Sequence, residues 1–205
     1  MEQRDVLPVG PGDGRRLTRG QIRTRLVALA VGTRGNGSRD TDNIRAAVLV
    51  PLIERPHGWY VLLTLRAADL ADHAGQISFP GGRIEPEDPD AVHAALREAE
   101  EEIGLPINHV EVAGRLDTWL TGTGFEITPV VGLVRPPDSF APHPVEVAEV
   151  FEVPLDFVLD PRNHQRRSRE LRGEERWFWT LPYQHRNIWG ATAGMLVNLA
   201  EALTR

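Results

Sequence analysis

Cysteine is absent from this chain, which excludes disulfides, thiol nucleophiles and Cys-ligated zinc together. Lysine is absent too, so all 23 basic residues are arginine. Genome composition accounts for that bias, yet it leaves a forked guanidinium as the cation available for bidentate phosphate contacts. No apolar run approaches the ~18 residues that span a bilayer. The opening MEQRDVLPVGPGDG carries no basic-then-apolar signal pattern, and no internal repeat is visible. The expectation is a cytoplasmic protein without a membrane partner. A basic surface is missing as well. The net charge of −6 argues against nucleic acid as a partner, because phosphate-binding surfaces show a positive footprint. Any anionic substrate must then be met locally, and Arg66, Arg83 and the cluster Arg166, Arg167, Arg169 are the candidates.

What is present suits one domain with an appendage, since 205 residues are ample for a core. Residues 1–43 read as an N-terminal segment, comprising an unstructured start over the first 14 residues, an amphipathic helix over 17–31 and a polar linker over 33–43 (TRGNGSRDTDN). Residues 44–205 read as the main domain. Within it, 45–54 and 58–66 predict strands paired around a Glu54-to-Gly58 turn. A helix is expected over 89–103, then strands over 110–118 and 125–134, a short helix over 154–160, a hairpin over 164–182 and a last helix over 187–203. Strands mixed with helices predict an α/β/α sandwich.

The most informative stretch is residues 82–105, GRIEPEDPDAVHAALREAEEEIGL, directly after a Phe79-Pro80-Gly81-Gly82 turn. On a helix, Glu98, Glu101 and Glu102 stand at i, i+3 and i+4 and share one face. Val92, Leu96, Ala99 and Ile103 have the spacing of a core stripe opposite. Three like charges at that spacing repel one another, and a divalent cation such as Mg²⁺ or Mn²⁺, which prefers oxygen ligands, turns the repulsion into binding. Asp88-Pro89 reads as the N-cap with proline at the first helical position, and Gly104 followed by Pro106 closes the helix. The Gly81-Gly82 turn lets backbone approach a ligand closely. His73 and His185 have no second histidine at ligand spacing and read as polar loop residues. Trp177-Phe178-Trp179 offers rings that could stack an adenine, with at least one of the three expected in the core.

Gly82 together with REAEEEIGL (Arg97 to Leu105) resembles the Nudix signature, with one extra residue between Gly82 and Arg97 and a small Ala99 where a larger side chain is usual. Leu62-Leu63-Thr64, Arg66-Ala67, Gly75 and FPGG resemble the coenzyme A pyrophosphatase branch, with Ala71 where that motif has arginine. Softer matches are LDTWLTGTGFEITPVVG, VFEVPL and YQHRNIWGATA, so the resemblance runs from about Arg45 to the C-terminus. It implies a Nudix-type α/β/α sandwich with a mixed β-sheet. It further implies a metal-dependent hydrolase of coenzyme A or acyl-coenzyme A. Glu98, Glu101 and Glu102 would hold Mg²⁺ or Mn²⁺, helped by the Gly82 carbonyl. Glu98, Glu101 and Arg97 would be catalytic, Glu101 as a further ligand or as base and Arg97 orienting a glutamate. Arg66, Gly81 and Gly82 would bind a small-molecule nucleotide substrate of coenzyme A type. A homodimer is expected, as relatives often form one. Two alternatives stay open: a hydrolase of another nucleoside diphosphate derivative, of ADP-ribose or NADH type, and a non-catalytic nucleotide-binding module.

Overall fold

A run such as Ala46-Ala47-Val48-Leu49-Val50-Pro51-Leu52-Ile53 has no polar alternation, and a strand of that kind must be covered on both faces. The computed structural model describes residues 17–205 apart from 41, 71, 72 and 172, so Ala71 and the first 14 residues lie outside the described residues. In it this run becomes strand β2 (Ile44–Arg55), with Ala46, Ala47, Leu49, Val50, Leu52 and Ile53 all buried. It sits inside a nine-stranded mixed sheet. β2 runs parallel to β8 (Phe125–Val134) over ten residue pairs and antiparallel to β3 (Gly58–Arg66), closing the expected turn with Arg55 opposite Gly58.

The two faces of β2 feed two separate cores. Ala47, Leu49 and Ile53 point toward helix α2 (Ala91–Ile103), against Ala91, Ala94, Ala95, Leu96, Ala99 and Ile103. Val50 and Leu52 join Val61 and Leu63 on the other face. There they meet Ile22 and Leu26 of α1 (Arg19–Val27), Leu155 and Val158 of α3 (Leu155–Leu159), and Leu196, Leu199 and Leu203 of α4 (Gly190–Thr204). Helices thus cover both faces of one mixed sheet, which is an α/β/α sandwich.

The remaining strands fix the edges. β4 (Ile77–Ser78) and β9 (Val147–Pro154) pair with β3, and β5 (Gly81–Arg83) lies antiparallel to β2. β6 (Val110–Arg115) and β7 (Thr118–Leu120) both pair with β8. A separate three-stranded sheet joins β10 (Gln165–Leu171), β11 (Glu174–Tyr183) and β12 (Arg186–Trp189). No helix among the described residues is long and apolar enough to cross a membrane.

Several expectations need correcting. Part of the polar stretch at 33–43 is strand: β1 (Thr33–Gly35) runs parallel to β7, because Arg34 and Gly32 are drawn to Asp117. The strand expected over 110–118 is two strands. The last helix begins at Gly190, not 187, since Asn187 to Trp189 pair with β11 and Gly190, at φ +68°, turns the chain into the helix. Helix α2 is capped by Asp90 rather than Asp88: its carboxylate accepts the Val92 and His93 N–H groups at 2.8 and 3.0 Å. Asp88 is engaged elsewhere, by Arg97 and by the Glu85 N–H at 2.9 Å. Gly104 does close the helix, in the left-handed region at φ +64°.

Candidate functional site

The FPGG turn is built to bring backbone down onto helix α2. Phe79 is buried in the core, and the Pro80 carbonyl accepts the Leu49 N–H at 2.9 Å. β5 then pairs Gly81 with Val48 and Gly82 with Ala47. A Cβ on Gly81 would sit 2.6 Å from Val48 Cα, and one on Gly82 would sit 2.5–2.7 Å from the whole Glu98 carboxylate. Glycine is required at both positions by close approach: to the neighbouring strand at Gly81, and to a carboxylate at Gly82.

The two inward acids of α2 are Glu98 and Glu102, one turn apart. Glu102 is only 4% exposed. One of its oxygens accepts the Gly81 N–H at 3.2 Å, and the other lies 3.8 Å from Arg66 Nη1. Burial pushes its carboxyl up to about 7, against the Gly81 N–H and Arg66, with the charges of Glu98 and Glu146 adding to the rise. Burial raises Glu98 as well; Arg97 opposes the shift, while Glu101 and Glu146 reinforce it. Glu101 is turned outward, its side chain 61% exposed and held by Arg97 at 3.1 Å. Glu98, Glu101 and Glu102 therefore divide: two point under the glycine turn and one faces solvent.

Arg97 is the hub of an ion network. It donates to Asp88 at 2.9 and 3.0 Å, to Glu98 at 2.9 Å, to Glu101 and to the Arg83 carbonyl. These bonds hold Asp88 below the usual carboxylate range and fix the orientation of Glu98. Arg66 reaches the site from the end of β3, with its Nη1 3.8 Å from Glu102 and its buried Nε without a hydrogen-bond partner, so the guanidinium keeps bonding capacity in hand. His73 stays at an exposed turn, bonded to Gln76, and His185 lies exposed between β11 and β12.

Glu146 was not singled out from the sequence. It immediately precedes β9, and the pairing of Arg66 with Val147, with the Ala67 N–H donating to the Glu146 carbonyl at 2.9 Å, carries it to this edge. A single glutamate in a loop gives no signal of that kind; only the β3–β9 pairing does.

A divalent cation fits this donor set. Hard cations take carboxylate oxygens, and the site offers a buried carboxylate, Glu102, and a half-buried one, Glu98, both raised and the charge of Glu98 adding to the rise of Glu102, beside a glycine cradle that a side chain would fill. Among the described residues, no three acidic or histidine side chains already converge as a finished cation site; Glu98 and Glu102 are the preassembled pair.

The NUDIX domain family model matches residues 43–178. The Nudix hydrolase NudL of Cronobacter sakazakii is 44% identical over 164 residues, covering 80% of this chain and 85% of that protein. NudL of Escherichia coli K12 is 42% identical with the same coverage. Among solved structures, the Nudix hydrolase RenU of M. smegmatis aligns over 58% of this chain and 76% of its own, at 26% identity and a TM-score of 0.44. The NUDIX domain of Shewanella oneidensis NrtR, solved with ADP ribose, aligns over 58% and 78% at 18% identity and a TM-score of 0.45.

Proposed function

The chain belongs to the Nudix hydrolase family, and from that premise we propose that it is a cytoplasmic, metal-dependent pyrophosphohydrolase that splits coenzyme A or acyl-coenzyme A into 3′,5′-ADP and 4′-phosphopantetheine. The observation that carries the metal-dependent part is the pair of buried Glu102 and half-buried Glu98 beneath Gly81 and Gly82. The substrate assignment rests on LLTLRA and FPGG, whose Arg66, Gly81 and Gly82 all border that pair.

In this reading Glu98 and Glu102 hold Mg²⁺ or Mn²⁺, with Glu101 and the Gly82 carbonyl as further donors. The bound ion supplies charge neutralisation on the phosphoanhydride and acidifies the attacking water. The other tasks fall to the chain's own groups. Arg97 keeps Glu98 in place and holds Glu101 near the pair. Arg66 neutralises Glu102 and offers the rest of its guanidinium to the substrate phosphates. Glu101 and Glu146, at the exposed rim, would be the acids that take a proton from water. Each retains enough solvent access to pass that proton on.

Incubating the protein with coenzyme A, acetyl-coenzyme A, ADP-ribose and NADH plus Mg²⁺ or Mn²⁺ tests the substrate. Turnover of the first two should exceed that of the others by about tenfold or more, the size of effect that one well-placed polar contact gives. Turnover of ADP-ribose or NADH alone would move the assignment to another nucleoside diphosphate derivative. Metal-independent binding without cleavage of any of the four would make the protein a binding module.

Gly82→Ala gives a sharper test of the cradle. The new methyl must displace the Glu98 carboxylate, a flexible group, so the fold should survive with less than about 1 kcal/mol lost. Turnover should nevertheless fall about a hundredfold, because a ligand misplaced by about 1 Å costs that much. Thermal melts and steady-state rates of the same preparation separate the two effects, and an unchanged rate would remove Gly82 from the site.

A further inference from the structure

The hairpin β10–β11 brings Trp177, Trp179 and Arg166 to one cleft, completed by Trp119 of β7 and Arg34 of β1, that shares no wall with Glu98, Glu102 or Arg66. The cleft measures about 390 Å³, within the range of small-molecule sites. Trp177 and Trp179 stand two residues apart on β11 and so share a face, and Arg166 lies directly across from Trp179. Trp119 of β7 closes the far side and packs against α4, where a Cβ on Gly194 would strike its ring. Gly190 and Ala191, the first turn of α4, complete the wall.

Two features distinguish this cleft from ordinary packing. Trp177 is 48% exposed, and it is the only aromatic among the exposed large hydrophobic residues described. An indole left that open is rarely explained by the core. Arg166 lies over the Trp177 ring, 5.2 Å from its centroid, and pairs with no carboxylate among the described residues. Arg34, in contrast, is committed to Asp117 and Glu201, so Arg166 is the cation left for a ligand. At the rim, the Asn36 carbonyl oxygen accepts the Gly122 N–H at 3.0 Å, which leaves its amide nitrogen to donate. A larger depression of about 480 Å³, lined by Arg39, Asn43, Arg45 and Glu126, has no aromatic wall, and Arg39 there is paired with Glu126.

We propose that this cleft binds a purine nucleotide, with the base stacked on Trp177 and Trp179 and its phosphate on Arg166. Flat heteroaromatic rings stack on indoles, and a cation already lying on one ring is placed for the charge that accompanies the base. Asn36 supplies an edge contact to a ring nitrogen. The first turn of α4 links the cleft to the acid pair: Thr192, next to Ala191, donates to the Ile77 carbonyl of β4 at 2.9 Å, and β4 pairs with β3, which ends at Arg66. The nucleotide is either the base end of the hydrolysed substrate or a separate ligand; the chemistry of recognition is the same for both.

Titration of the full chain with adenosine 5′-monophosphate in EDTA, followed by tryptophan fluorescence and calorimetry, tests the proposal without reference to turnover. Trp177→Ala should weaken binding about tenfold or more, as loss of one stacking partner does, and Trp177→Phe should restore most of it. Arg166→Ala should weaken the monophosphate but leave adenosine unchanged. Both sites are at the surface, and melting curves verify that the variants fold. Absence of binding to wild type would overturn the proposal. So would titrations unaffected by either alanine variant, or binding lost in Glu102→Gln but kept in Trp177→Ala. Kinetics of coenzyme A hydrolysis then identify the source. A raised KM at constant kcat in Trp177→Ala marks the cleft as the substrate's base subsite. Unchanged kinetics with lost monophosphate binding mark a separate nucleotide site.

Discussion

Glu102→Gln should lower metal-dependent turnover by about a hundred- to a thousandfold, the usual cost of removing one preorganised electrostatic group from a reacting centre. The same substitution should not lower stability, and at alkaline pH without metal it should raise it. The sign follows from the direction of the shift. An acid held at about 7 in the folded state, against about 4.3 unfolded, keeps its proton longer when folded. Between those values the folded protein binds more protons, so stability falls as pH rises through that window and stays low above it. The loss is at most about 4 kcal/mol at pH 8, from 1.36 kcal/mol per pH unit. Glutamine has no such loss, because it carries no charge to desolvate. Melting curves in EDTA at pH 5 and pH 8 should therefore slope downward in wild type and run flatter in Glu102→Gln. Added Mg²⁺ should stabilise wild type at pH 8 and leave the variant unmoved. Wild-type turnover in the variant would remove Glu102 from the chemistry.

That prediction depends on a distinction visible in the sequence only in hindsight. REAEEE announces an acidic helix face, but at about 100° per residue Glu102 lies about 40° from Glu98 toward Ala95 and Ala99, while Glu101 lies about 60° the other way. The alanines at 91, 94, 95 and 99 are the clue. Side chains that small let the helix lie close against the sheet, and the acid inside their arc is taken in with them. The strand pair around Arg55 and Gly58, the buried run of β2 and the Gly104 stop were all legible, because local pattern and turn chemistry agree there. Short strands such as β1, β4 and β5 were not. Two or three residues carry no period, and their pairing is decided by partners distant in sequence. Glu146 belongs to the same class, placed by β9 rather than by its neighbours.

A buried acid with the opposite bias lies on the other side of the sheet. Asp117 accepts the Gly32 N–H at 2.6 Å, the Arg34 Nε–H, and the Asn198 amide at 3.1 Å, while its own N–H donates back to Asn198 at 3.0 Å. Burial tends to raise its carboxyl, but those donors outweigh it and hold it below the usual range. One side chain thus joins β1, β7 and α4, and the wall of the aromatic cleft stands on the same three elements. Asp117→Ala would leave the Gly32 N–H and the Asn198 amide unsatisfied and Arg34 with Glu201 alone. The expected loss is about 3 kcal/mol or more, as for other broken buried ion pairs, or about 10 °C in Tm for a chain of this length. Asp117→Asn, which keeps the shape and part of the bonding, should lose less. A carboxylate depressed on folding stabilises above its unfolded value of about 3.9, and that contribution disappears as pH falls through the folded value. The gap between wild type and Asp117→Ala should accordingly be widest near neutrality and narrow on acidification toward pH 3. Turnover at saturating substrate and low temperature should stay near wild type, since the acid pair lies across the sheet. A variant that melts like wild type would mean that Arg34 and Glu201 hold the three elements together without Asp117.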